Sequence, residues 1–435
     1  MKIGIVGLGF VGLSFASVLG SKGYSVIGVD SDRVKIAKIK AGRSPFYEPK
    51  LDELLKSALK KSLTISSDVR LAVNQCDIIF VTVGTPLSEK GQIDLTILKS
   101  AIEEIGNILA TENKKPILVI KSTVVPGTTN DFVMPIIKNK VGKKISKIRI
   151  LTNPEFLREG KSIDDTLKPH IVVIGGNNDE SVKLKKFYQH LYGVKIPIIL
   201  TNHQTAELIK YANNSFLATK ISFVNQIANI CQSIPGTNIE DVAKAIGLDP
   251  RIGSLFLKAG PGYGGSCLPK DLQALIAFSS KTGVEPILLK AVQETNNSQV
   301  KKILDLIERS IGNINGKQIT ILGLSFKEDS DDIRESVSIK LINLLLKKNV
   351  KIIAHDPKAI ENTRSVFGNK IRFFDSVKKA LRDSQCVVIM TPWKQYSGIK
   401  NADFQKMRRK FVIDTRRILN HENLDIEYHA LGLGE

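Results

Sequence analysis

A glycine fingerprint behind an apolar strand at the N-terminus, a partial echo of it in the last third of the chain, and a long helical stretch between them predict the fold class. It is an α/β protein, with two Rossmann-like domains joined by a long central helix and a helical middle domain. The expected boundaries are 1–200, 201–314 and 315–435. A chain of 435 residues is long enough for two or three domains, each with its own core.

The first element is Ile3-Gly4-Ile5-Val6, followed by Gly7-Leu8-Gly9-Phe10-Val11-Gly12 and a helical pattern to about Lys22. Strand, glycine turn and helix form the context a dinucleotide requires. The first glycine makes the turn, the second admits a pyrophosphate, the third lets helix pack on strand, and the helix N-terminus faces the anion. A second strand, Ser25–Val29, ends in Asp30, where a carboxylate would bind a ribose 2′-hydroxyl and repel a 2′-phosphate. NAD is therefore expected in preference to NADP, although Arg33 and Lys35 lie close enough to a 2′-phosphate to keep that question open.

Asn153-Pro154-Glu155-Phe156-Leu157-Arg158-Glu159-Gly160 comes next and predicts a helix start, with asparagine as N-cap, proline at the first helical position and Glu155 in the first turn. Glu159 would then stand one turn along the same face, and two carboxylates together can move a proton or order a water. Capping alone also accounts for Glu155.

The long helix follows, capped by Thr205, with Leu208, Leu217, Ile221, Val224 and Ile227 at helical spacing as far as Cys231. Lys210 and Asn214 are i,i+4 neighbours on it, a cation and an amide able to stabilise developing negative charge on oxygen, or simply exposed decoration. Beyond it lies Gly264-Gly265-Ser266-Cys267-Leu268-Pro269-Lys270-Asp271. The glycines would let backbone approach a ligand, Lys270 would favour thiolate, and Asp271 comes within reach if a helix starts at Pro269. This is the setting of a reactive thiol.

The C-terminal echo has three parts in the same order. Residues 2–10 resemble 318–326, residues 26–30 resemble 352–356, and residues 75–82 resemble 385–391. A second Rossmann-like domain is expected, but Ser325 stands where Gly9 stands, so a second dinucleotide should not be held in the same way.

Composition narrows the partners. Cys76, Cys231, Cys267 and Cys386 are scattered, suggesting neither a disulfide framework nor a metal knuckle, and a reduced, cytoplasmic setting is expected. The N-terminal apolar stretch is broken by Gly7, Gly9 and Gly12, unlike a signal segment, and no run reaches the ~18 apolar residues of a membrane span. The formal charge of +20 raises nucleic acid as a partner. The lysines are spread over helix faces without an aromatic platform or arginine-rich arm, so no nucleic acid is expected. The field would instead draw in a dinucleotide and a diphosphate-bearing substrate.

Taken together, these motifs resemble the nucleotide-sugar 6-dehydrogenases of the UDP-glucose/GDP-mannose family. Pro45-Phe46-Tyr47-Glu48-Pro49, Val83-Gly84-Thr85-Pro86, Lys121-Ser122-Thr123-Val124, Gly323–Lys327 and Asp331–Ser336 extend the likeness over essentially the whole chain. The resemblance implies a four-electron, NAD-dependent oxidation of a sugar CH2OH to a carboxylate through a Cys267 thiohemiacetal and thioester. It gives Lys210 and Asn214 to the oxyanion, Asp271 with Thr123 to proton management, Glu155 to water activation and Glu159 to support of Thr123. It gives Gly7, Gly9, Phe10, Val11, Gly12, Asp30, Lys35, Thr85, Thr123, Glu159, Lys270 and Arg334 to the cofactor. To the substrate it gives Glu155, Phe156, Leu157, Lys210, Asn214, Phe256, Lys258, Gly264 and Lys327, with Arg251 reaching in from a neighbouring subunit of a homodimer or larger oligomer. Ser266, where hexosamine-oxidising relatives carry histidine, and the stretch from Arg251 to Lys258 look most like the UDP-glucose branch, with GDP-mannose the runner-up substrate. Val124-Val125-Pro126-Gly127 departs from the common valine-proline-valine-glycine order. A non-catalytic nucleotide sensor is the reading of a different class, and the full set of reactive residues argues against it.

Overall fold

The computed structural model describes residues 1–176 and 178–434, which divide into two compact units, residues 1–213 and 214 onward. In the first unit eight strands form one sheet: β1 Lys2–Val6, β2 Ser25–Val29, β3 Leu63–Ser66, β4 Ile78–Val81, β5 Ile117–Ile120, β6 Arg149–Thr152, β7 Val172–Gly175 and β8 Ile198–Thr201. Their order is β3-β2-β1-β4-β5-β6-β7-β8, parallel except where β7 meets β6 antiparallel. Ile3 and Ile5 pack on one face and Val6 on the other. A sheet covered on both faces needs the continuous apolar strands this sequence supplies.

The second unit holds β9 Gln318–Leu322, β10 Lys351–His355, β11 Arg372–Phe373, β12 Cys386–Ile389, β13 Phe411–Asp414 and β14 Glu427–Ala430. They run parallel in the order β11-β10-β9-β12-β13-β14. The echo is therefore architectural, because β10-β9-β12 repeats β2-β1-β4. Ile3 pairs with Val26 and Ile78 as Ile319 pairs with Ile352 and Cys386. The third match is displaced by two residues, since Ile78 and not Cys76 stands where Cys386 stands, a shift that keeps each side chain on its face.

In sequence, the helices His203–Cys231, Ile239–Gly247, Leu268–Lys281 and Ile287–Ile311 follow the first sheet and precede the second. The first begins in one unit and ends in the other. It starts at His203, two residues before the expected cap, because the Asn202 carboxamide accepts from Thr205 N at 2.8 Å and so takes the capping role itself. Among the described residues no helix is long and apolar enough to cross a membrane.

Candidate active site

The three N-terminal glycines have three different physical reasons. Gly7 has φ +98°, and a Cβ there would come within 2.8 Å of Val83 N. A Cβ on Gly12 would lie 1.9 Å from the Gly7 carbonyl, so the helix Phe10–Ser21 can approach the turn only without a side chain. Gly9 faces open space, as does Gly84. That open edge at a helix N-terminus without a side-chain cap fits a pyrophosphate. Phe10 packs on Phe46, ring centroids 5.3 Å apart, and Val11 follows in the first turn.

Asp30 braces the turn, its Oδ2 accepting from Leu8 N at 2.8 Å and its Oδ1 from Asp32 N at 3.0 Å. Lys35 Nζ, one of the two cations that kept a 2′-phosphate in question, reaches the same carboxylate at 2.9 Å. Thr85 Oγ1 donates to the Thr123 carbonyl at 2.7 Å, bringing those two together. In the C-terminal echo, Gly323 repeats the positive φ of Gly7 at +97°. Asp356, the counterpart of Asp30, is buried and accepts from Leu324 N, Ser325 N, Ser325 Oγ, Trp393 Nε1, Lys358 N and Ala359 N. Asp356 thus accepts twice as many hydrogen bonds as the three described for Asp30, the Trp393 indole among its donors.

The segment Asn153–Gly160 corrects the local reading, for it is an irregular loop and the helix beyond it is Ser162–Leu167. Asn153 N donates to the Ile120 carbonyl at 2.8 Å and its Nδ2 to the Val173 carbonyl at 2.7 Å. The asparagine that looks like a cap thus continues the sheet, and Glu155 and Glu159 do not share a helix face. Glu155 is pinned locally by Leu157 N. Its Oε1 meets Lys210 Nζ at 3.1 Å, with the two side chains only 6% and 3% exposed. Lys210 also lies 5.4 Å from the Phe156 ring centroid. Glu159 is buried as well.

Glu48, a residue sequence reasoning passed over, holds the end of this loop by accepting from Gly160 N at 2.7 Å and Ser162 N at 2.8 Å. A glutamate between aromatic and proline residues carries no helix or turn signature, so only its place in the quoted motif marked it.

Lys121 is a second residue that was missed as an individual. Its Nζ donates to Asn153 Oδ1 at 3.0 Å and lies 5.4 Å from the Phe15 ring centroid. Burial pushes its pKa down to about 8, with Glu155 pulling it back up and Lys210 lowering it further. The unfolded chain keeps this proton to about 10.5, so between the two values it binds more protons than the native state and stability rises with pH. Compared with a Lys121→Met variant, the wild type should gain up to roughly 3 kcal/mol between pH 7 and 10.5. Denaturant unfolding at both pH values measures that gap, and a constant gap contradicts the burial argument.

In the second unit the thiol sits as the sequence expects, though for partly different reasons. Cys267 immediately precedes the helix Leu268–Lys281, one residue earlier than read, and Asp271 N donates to the Cys267 carbonyl at 2.8 Å. Of the four cysteines, Cys267 alone is not buried. Burial drives the Cys76 thiol up to about 12, and Cys386 higher still.

The glycine pair has an internal reason of its own. A Cβ on Gly264 would lie 2.4 Å from the Glu335 carbonyl, and one on Gly265 (φ +82°) 2.6 Å from the Phe326 ring. Gly265 N also donates to the Arg334 carbonyl at 2.9 Å. The thiol loop is thereby locked to the Phe326–Ser336 segment. Lys270 Nζ sits on Asp271 at 2.7 Å, and Asn214 Nδ2 donates to the same carboxylate at 2.6 Å. Lys270, the cation expected to favour the thiolate, thus holds Asp271. A helix N-terminus is a setting that favours thiolate.

The remaining predicted residues are more open. Arg251 is 87% exposed and pairs with its own Asp249. Phe256 takes a left-handed φ of +65° and Lys258 is exposed. Arg334 forks onto Asp332, and Lys327 is half-buried. Among the described residues no cluster of His, Cys, Asp and Glu is placed to hold a metal.

Comparison with known proteins agrees in every segment. The UDP-glucose/GDP-mannose dehydrogenase family matches through its NAD binding domain at residues 1–192, its central domain at 204–298 and its UDP binding domain at 320–421. The UDP-glucose 6-dehydrogenase AglM of Haloferax volcanii is 39% identical over 98% of this chain and 99% of its own. The UDP-glucose 6-dehydrogenase TuaD of Bacillus subtilis is 37% identical over 99% of this chain and 93% of its own. A solved UDP-glucose dehydrogenase from Pyrobaculum islandicum superposes with a TM-score of 0.91 at 34% identity, over 99% of this chain and 98% of that one. With its nucleotide cradle, its partial second copy and its accessible thiol, the chain belongs to the UDP-glucose/GDP-mannose dehydrogenase family, the NAD-dependent oxidoreductases of nucleotide sugars.

Proposed function

We propose that this protein oxidises UDP-glucose to UDP-glucuronate in two successive steps, with Cys267 holding the sugar between them. The observation that carries this reading is the accessible cysteine at a helix N-terminus beside the Asn214–Asp271–Lys270 cluster, while every other cysteine is buried. When bound, NAD supplies the hydride acceptor for both steps. The C6 alcohol loses a proton and a hydride to become an aldehyde. The Cys267 thiolate adds to that aldehyde, and the thiohemiacetal loses a second hydride to become a thioester. Water then cleaves the C–S bond, releasing the carboxylate and restoring the thiol. An enzyme that stopped at the aldehyde would need no nucleophile.

Lys210 and Asn214, one turn apart on one helix, are the candidate oxyanion donors. An asparagine amide carries two N–H groups, and Asp271, by accepting one, sets the direction of the other. Glu155 is the carboxylate for water activation, its charge balanced by Lys210 until substrate arrives. Thr123 with Asp271 would manage the alcohol proton, and Glu159 would support Thr123. Lys258, Lys327 and Arg251 would offset the diphosphate charge, with Phe156, Leu157, Phe256 and Gly264 shaping the sugar and nucleotide pocket. For the cofactor, Gly7, Gly9, Phe10, Val11, Gly12, Asp30, Lys35, Thr85, Lys270 and Arg334 are the proposed contacts. UDP-glucose is preferred because the similar proteins above carry that activity in their names, and Ser266 before the cysteine argues against N-acetylhexosamine substrates. Steady-state assays with UDP-glucose, GDP-mannose and UDP-N-acetylhexosamines test this. UDP-glucose should lead in kcat/KM by about tenfold or more, since one misplaced hydroxyl or an added acetamido group costs that much, and a lead for another sugar would overturn the substrate while keeping the chemistry.

A homodimer is part of the same proposal. Along the long helix the exposed positions are 204, 205, 208, 212, 216, 223, 226 and 230, which from 205 onward are spaced by three, four or seven residues and include Leu208, Phe216, Phe223 and Ile230. Such a seam of large apolar side chains matches a second copy of the same helix. Sedimentation should give a dimer or larger species for the wild type and a shift toward monomer for Phe223→Glu. A monomeric wild type at micromolar concentration would contradict the seam.

A further inference from the structure

Glu207 lies on the long helix three residues before Lys210, is 2% exposed and has no part in the chemistry above. Its Oε2 accepts from Gly127 N at 2.7 Å, and its Oε1 from Thr129 N at 2.8 Å and Thr129 Oγ1 at 2.6 Å. From Thr129 a buried chain continues, Thr129 Oγ1 to Thr152 Oγ1 at 3.0 Å and Thr152 Oγ1 to His203 Nδ1 at 2.8 Å. Each member belongs to a segment that carries a proposed reacting group. Thr129 and Gly127 close the loop that starts at Thr123, Thr152 ends β6 two residues before Pro154-Glu155, and Glu207 occupies the helix turn before Lys210.

The geometry points to Glu207 as a positioning residue that holds these three segments in register, through a hydrogen-bond chain whose direction it sets. Burial raises the Glu207 pKa and its Thr129 and Gly127 donors lower it. With a backbone N–H, which can only donate, aimed at each oxygen, the carboxylate is the accepting end of the chain and Thr129 donates its hydroxyl proton to it. Thr129 Oγ1 then accepts from the Thr152 hydroxyl, which in turn accepts from His203. His203 therefore carries its proton on Nδ1. A ring whose pKa burial lowers to about 4 is neutral at pH 7, so it has one N–H to place and the chain places it. Neither threonine alone selects a direction, because each hydroxyl both donates and accepts. The carboxylate at the end removes that ambiguity.

The positioning role rests on the reading that Thr123, Glu155 and Lys210 serve the oxidation, whereas the tautomer does not. Selective 15N labelling of histidine in the full-length protein, with the His203 signals assigned by their loss in His203→Asn, reads the tautomer without substrate. The Nδ1–H form is expected. The Nε2–H form would mean that the chain runs from a protonated Glu207 toward the ring, and would overturn the inference.

Kinetics supply the second arm. In Glu207→Gln one amide N–H must face either Gly127 N or Thr129 N, so the register loosens at unchanged size. The expected result is a kcat lower by about tenfold or more with KM for UDP-glucose and NAD within about threefold, since small misplacements act on the transition state more than on binding. Thr152→Val interrupts the chain without touching the carboxylate, and should both lower kcat and release the Nδ1–H preference. It decides the matter if Glu207→Gln does not fold. Wild-type kcat in a folded Glu207→Gln, or an unchanged tautomer in Thr152→Val, overturns the proposal. Failure of the wild type to oxidise any nucleotide sugar would instead sink the functional reading and leave the tautomer result standing.

Discussion

Cys267→Ser is expected to lose sustained turnover by roughly 10³-fold or more while keeping the fold and its NAD affinity. The side chain is partly accessible at the start of a 14-residue helix, and Ser266 Oγ lies 3.6 Å from Sγ, so exchanging sulfur for oxygen disturbs little packing. What changes is the chemistry. A helix N-terminus lowers the pKa of a thiol into the range where thiolate is present, but leaves a serine hydroxyl protonated. Without the thiolate, no thiohemiacetal forms to deliver the second hydride efficiently, and any ester formed on serine is a poorer acyl donor to water. The first oxidation needs no nucleophile, so a limited yield of NADH without carboxylate is the specific signature. A variant with sustained wild-type turnover would remove Cys267 from the mechanism.

Lys210→Met should damage both stability and activity, and the two losses can be separated. Lys210 and Glu155 are almost wholly buried at 3.1 Å, so removing the cation leaves a buried carboxylate without its charge partner, at a cost of about 3–5 kcal/mol. Loss of a donor to the developing oxyanion should lower kcat by ~10²- to 10³-fold. Adding Glu155→Gln removes the stranded charge, so the double variant should recover much of the stability and none of the activity. Thermal unfolding and turnover on the single and double variants test this. Activity that returned together with stability would reduce Lys210 to a structural partner of Glu155.

The fold was legible where the sequence pattern and the local physics agree. Central strands such as Ile78–Val81, Ile117–Ile120 and Cys386–Ile389 are continuous apolar runs, and Gly7 and Gly12 answer to separate steric demands while Gly9 leaves an open edge. The C-terminal copy could be recognised from three strands alone because parallel order follows from their sequence order, β10-β9-β12 against β2-β1-β4. Ser325 in place of Gly9 likewise marks a turn whose carboxylate, Asp356, is engaged by its own backbone and Trp393.

The errors share a cause, which is that a distant partner outcompetes a local one. Asn153-Pro154-Glu155 has the composition of a helix start, but its asparagine bonds across the sheet to Ile120 and Val173. The room that Gly264 and Gly265 leave is needed by distant groups as well, Glu335 and Phe326, about sixty to seventy residues away in sequence. Glu207 and Glu48 were not visible at all as individuals, because a buried glutamate is identified by the backbone N–H groups it satisfies, and spacing along the chain does not display them.

The most direct test of the two-step oxidation is the number of NADH formed per UDP-glucose consumed, followed by absorbance to completion with the wild-type protein. The account predicts two, with carboxylate as the product. A value of one, with aldehyde as the product, would contradict it, because the oxidation would then end before the only step that requires Cys267.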